Sequence, residues 1–141
     1  MRLLLATCIL ATPGAVLAQS AGADRLSSTR AGVYTEAQAA RGRDIYALSC
    51  VSCHTPISHT GPAFAVKWDG HQLSELFQYL NEAMPKQDPG TLSAIEYTLV
   101  LTYLLKLNGM PAGRDELPSD LAALQKIRIE WKAPGDSSEK R

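Results

Sequence analysis

The run Cys50-Val51-Ser52-Cys53-His54 limits this chain more than any other feature of it. Two thiols three positions apart, followed at once by an imidazole, suit three chemistries: covalent haem attachment, half of a zinc site, or a dithiol redox pair. A zinc site needs a second ligand pair, and the sequence offers none at a suitable spacing. A thioredoxin-like pair needs a preceding strand in a βαβ pattern, whereas the periodicities here are helical. Haem attachment remains. One helical turn sets two thiols at the separation of two vinyl groups on one haem, and His54 then faces the iron.

Export agrees with that reading. Arg2 precedes a short apolar run, Leu3 to Leu10, which breaks at Pro13-Gly14, and Val16-Leu17-Ala18 offers small residues where a signal peptidase reads. Residues 1–18 are therefore expected to be a cleaved signal peptide and the protein periplasmic. Cys8 leaves with it. The remaining Cys50 and Cys53 would both carry haem, leaving none for the disulfides usual in exported proteins. With 14 basic and 14 acidic residues there is no cationic excess for nucleic acid. No apolar run reaches the roughly 18 residues of a membrane span.

The fold class expected is all-α, with three main helices around one covalently bound haem. Residues 19–33 read as a mobile extension rich in Ser, Ala and Gly, residues 34–113 as the folded domain, and residues 114–141 as a wrapping segment ending in a polar tail from Pro134. The first helix starts at Thr35, which forms a capping box with Gln38, and runs into Cys50. Pro56, Gly61 and Pro62 mark 55–68 as loop. A second helix, capped near Asp69, carries the stripe Leu73, Leu76, Phe77 and Leu80 and stops before Met84-Pro85. Ser93 and Glu96 box the start of a third, with Leu92 and Tyr97 as its staple; Asn108 and Gly109 end it. A short helix is expected near Leu121–Lys126, with Leu117, Leu121, Leu124, Ile127 and Ile129 returning to the core.

A haem iron needs a second axial ligand. Met84 and Met110 each precede a proline. Met110 occupies the position that packs back on Leu105 after a glycine helix stop, so it has a structural explanation, and Met84 does not. Met84 is therefore the expected ligand, with His71 the alternative; His59 and His71 otherwise read as surface residues. Phe64 and Trp68 are expected as pocket walls. The Trp68 N–H, or the hydroxyls of Tyr79 and Tyr97, are candidate partners for a haem propionate.

These residues resemble class I cytochrome c over roughly 35–113. Gly42 and Tyr46 match the small and aromatic positions of that family's first helix, which crosses the last helix, here at Val100 and Tyr103. Gly61-Pro62 resembles the loop whose proline carbonyl accepts from the proximal histidine, which would make Pro62 a partner of His54. Met84-Pro85, Pro89 to Ser93 with Glu96-Tyr97, and Asn108 to Gly113 resemble a bacterial single-haem branch found beside quinoprotein dehydrogenases. Thr55 after the histidine and the short stretch to Trp68 depart from the pattern.

The resemblance implies a periplasmic one-electron carrier rather than an enzyme, with haem c on Cys50 and Cys53 and iron on His54 and Met84. Its implied partners are redox proteins: a PQQ-dependent dehydrogenase, and a terminal oxidase or another cytochrome. The alternatives are a haem c subunit of a larger complex, or a peroxidase-like or sulfur-compound-oxidising enzyme with a displaceable distal ligand.

Overall fold

A computed structural model describes residues 27–132. The signal peptide expected over 1–18, the start of the extension and the tail from Pro134 lie outside the described residues.

Helix α1 (Glu36–Ser49) begins as its capping box dictates: Thr35 Oγ1 accepts from the Gln38 N–H and Gln38 Oε1 from the Thr35 N–H. The same Gln38 amide is buried and exchanges two hydrogen bonds with the backbone of Leu117, at 2.9 and 3.0 Å, so it also ties down the C-terminal wrap. The later helix that crosses α1 is α4 (Ala94–Leu107). The crossing is set at Gly42, where an added Cβ would lie 1.9 Å from the Leu99 carbonyl oxygen. Only glycine permits that approach. Tyr46 and Tyr103 meet edge to face at 5.4 Å between ring centroids beside it. The backbone approach is thus at Leu99, one residue before the expected Val100.

Helix α4 starts on the Ser93–Glu96 box. It ends in a Schellman motif, in which the Gly109 N–H donates to Lys106 and the Met110 N–H to Leu105. Met110 is buried, and its carbonyl accepts from the Tyr34 hydroxyl at 2.7 Å. Met110 is therefore a core residue, as expected.

Two assignments between the cysteine motif and Met84 need correction. Residues 55–68 are not simply loop: Pro56–His59 form a 3₁₀ turn and Pro62–Trp68 form helix α2. Gly61, at φ 66°, turns the chain, and Pro62 occupies the first helical position, where its missing N–H costs nothing. Asp69 does not cap the next helix. It closes α2, and its carboxylate accepts from the Trp131 N–H at 2.8 Å. Helix α3 (Leu73–Ala83) is capped instead by Gln72, whose N–H donates to Glu75. Its stripe Leu73, Leu76, Phe77 and Leu80 is buried as expected, and it ends at Met84.

Residues 27–33 are not the mobile stretch expected of them. Strand β1 (Ser27–Ser28) pairs in parallel with β2 (Ile127–Arg128), and Thr29 is buried, accepting from the Glu130 N–H. Helix α5 (Leu121–Leu124) precedes β2. Leu117, Leu124, Ile127 and Ile129 join the core, while Leu121 stays 38% exposed. Among the described residues no helix is long and apolar enough to cross a membrane.

Candidate cofactor site

The end of α1 delivers the cysteine motif as one tight turn. The Cys50 N–H still donates to Tyr46, and the N–H groups of Cys53 and His54 both fold back onto the Cys50 carbonyl, at 3.1 and 2.9 Å. Met84 arrives from the other end of the site, as the last cap of α3. Its N–H donates to Leu80, and its carbonyl accepts from the Tyr97 hydroxyl at 2.6 Å. Cys50, Cys53, His54 and Met84 all line one open-mouthed cavity of about 930 Å³, open solvent at the mouth included. Phe64 and Leu76 supply apolar wall, with Val100 and Leu104 from α4. Neither Met110 nor His71 lines it. His71 is half exposed and bonded to Glu75 at 2.8 Å, as a surface residue would be.

The two thiols sit in different surroundings. Burial pushes the Cys50 thiol up from its usual range. Cys53 is exposed and is held below its usual range by the Gln87 side chain at 3.5 Å, with help from Ser52 and Lys86. The Tyr46 hydroxyl is pushed up to about 12, by burial first and then by Cys50 and Tyr103. It is the one buried side-chain polar atom without a partner among the described residues, and Tyr46 lines the cavity. Such an atom costs free energy unless something completes it. The charged side chains around the cavity are Lys67 and Lys86, with no carboxylate among its lining residues.

Of the other residues expected here, Phe64 is a buried wall and Trp68 a half-buried one. Pro62 stands apart: it opens α2, is exposed, does not line the cavity, and makes no hydrogen bond to the His54 ring in the described residues. His59 is not a plain surface residue. It is half-buried in the cavity wall, 4.7 Å from the His54 ring and 6.1 Å from Tyr46 between centroids, and burial lowers its pKa. Its backbone carbonyl is gripped by Asn108 at 2.8 Å, which explains why it turns inward. Tyr97 faces the Met84 loop rather than an open anion position. Lys67 and Gln87 were not foreseen, since a lone Lys or Gln in a loop or on a short helix carries no pattern.

The donor set suits haem c. Two thiols can add to two vinyl groups, and an imidazole and a thioether are soft enough for haem iron. Among the described residues no cluster of three or more His, Cys, Asp or Glu has the arrangement of a metal site. Residues 37–104, from α1 through most of α4, match the family model of cytochrome c oxidase, cbb3-type, subunit III. Comparison with curated proteins and with solved structures gives no significant match. The match and the helical architecture together make the fold all-α and cytochrome c-like, and they support a c-type cytochrome that carries electrons.

Proposed function

We propose that this protein is a periplasmic one-electron carrier with a single haem c, thioether-bonded through Cys50 and Cys53 and ligated by His54 and Met84. One observation carries the reading: all four side chains line the same largely apolar cavity, with Met84 approaching from α3 and the other three from one turn after α1. Haem bound there supplies a reversible one-electron couple, and a thioether ligand favours the reduced state.

The protein's own residues do the rest. Tyr97 fixes the Met84 backbone, Phe64, Leu76 and Leu104 exclude water, and Asn108 holds the chain that carries His59 against His54. With His54 and Met84 both holding a bound haem iron, no substrate would reach the metal, and the protein would pass electrons rather than transform a substrate. A PQQ-dependent dehydrogenase is the proposed electron donor, on the resemblance of the Met84–Gly113 stretch.

A spectrum and a redox titration of the purified protein test the reading. The protein should be low-spin and six-coordinate, with the weak far-red band of a methionine-ligated ferric haem. Met84→Ala should abolish that band, lower the potential and admit cyanide. Met110→Ala should cost stability and leave the band in place. A high-spin wild type, or loss of the band on changing Met110 alone, would overturn the assignment.

A further inference from the structure

We infer that Lys67, held over the rings of Trp68 and Tyr79, is the cationic seat for the haem propionates in this chain. The inference rests on the haem reading above and adds a direction to it.

The Lys67 ammonium lies 3.7 Å from the Tyr79 ring centroid and 5.0 Å from that of Trp68, and all three residues line the cavity. Trp68 and Tyr79 are themselves packed at 5.4 Å. A lysine stem is ordinarily free to swing, and a cation held over two rings tilted against each other is restrained by both. The cavity offers two such charges. Lys86 neighbours Gln87, whose amide reaches Cys53 Sγ at 3.5 Å. Lys86 therefore belongs to the edge where the thioether bonds form. Lys67 rides on the rings of Trp68 in α2 and Tyr79 in α3.

Haem chemistry then decides between them. The vinyl groups and the propionates occupy different edges of the macrocycle. A haem tied at Cys50 and Cys53 turns its two carboxylates away from those sulfurs. Two carboxylates entering a largely apolar cavity need a cation and hydrogen-bond donors. The cavity lining has no Asp or Glu to repel them, and the two rings under Lys67 belong to Trp68 and Tyr79, side chains that each carry a hydrogen-bond donor.

The experiment compares haem-loaded wild type with Lys67→Met, Lys67→Arg and Lys86→Met, by resonance Raman spectroscopy of the propionate bending band and by redox titration. Lys67→Met should move the band. It should also raise the oxidised-to-reduced ratio at fixed potential at least about threefold, a fall of about 28 mV at 59 mV per tenfold for one electron. Lys67→Arg should restore both, and Lys86→Met should leave the band where it is. A band unmoved by Lys67→Met, or moved by Lys86→Met instead, overturns the inference. A wild type that carries no covalent haem sinks the underlying functional reading instead, so the two failures are told apart.

Discussion

The Tyr97 hydroxyl donates to the Met84 carbonyl oxygen at 2.6 Å and accepts from the Gly90 N–H at 3.0 Å. One phenol from the first turns of α4 thereby closes both ends of the loop that follows α3. Tyr97 is buried, and its ring meets Phe77 at 6.3 Å, so the hydroxyl has a fixed origin from which to hold the loop. The backbone of the proposed distal ligand is anchored to the helix that also crosses α1.

Tyr97→Phe should therefore loosen Met84 without removing it. The change removes both hydrogen bonds; the one to Met84 is worth about 1 kcal/mol, which corresponds to about a fivefold gain in the population with an open iron. The check is the rate and extent of cyanide binding to the ferric protein, read beside the far-red band. Unchanged cyanide binding with equal loss of stability would make Tyr97 a core residue only.

The α1–α4 crossing makes a sharper demand. Gly42→Ala places a methyl carbon 1.9 Å from the Leu99 carbonyl, a clash that backbone alone can relieve. It should cost about 3 kcal/mol, read by urea unfolding of the holoprotein. Tyr103→Ala, at a half-buried ring beside it, should cost about 2 kcal/mol. A Gly42→Ala protein of wild-type stability would show the crossing to be misplaced.

Acid should weaken the start of α4. The Glu96 carboxyl accepts from the Ser93 N–H and hydroxyl, both at 2.8 Å, and these bonds hold its pKa below the usual 4.5. A carboxyl depressed on folding contributes stability that is present above 4.5 and lost as pH falls through its lower folded value. Urea midpoints measured from about pH 5 down to pH 3 should fall less steeply in Glu96→Gln, which keeps a capping side chain but does not titrate. Parallel slopes would remove Glu96 from the acid response.

What could be read from the sequence was local. The two capping boxes at Thr35 and Ser93, the α3 stripe, and the Gly109–Met110 ending are each contained within a turn or two, and each forms as read. The cysteine motif is equally local, with the Cys53 and His54 N–H groups folding back onto the Cys50 carbonyl within one turn. What escaped depends on distant partners or on ambiguous residues. Gly61-Pro62 serves equally as a turn and as a helix start, so α2 reads as loop from its residues alone. His59 turns inward because Asn108, on the far end of α4, grips its carbonyl. Asp69 has the chemistry of a cap but spends it on Trp131. The Ser27–Ile127 pairing joins segments a whole domain apart through two residues each, too short to leave a period.

Covalent attachment of haem through Cys50 and Cys53 is the proposal on which the rest depends. The most direct measurement is acidic acetone extraction of the purified protein followed by intact mass. The haem should stay with the protein, the mass should be that of residues 19–141 plus one haem, and replacing both cysteines by serine should release it. Haem extracted into the solvent from the unaltered protein, or a mass without it, would contradict the account.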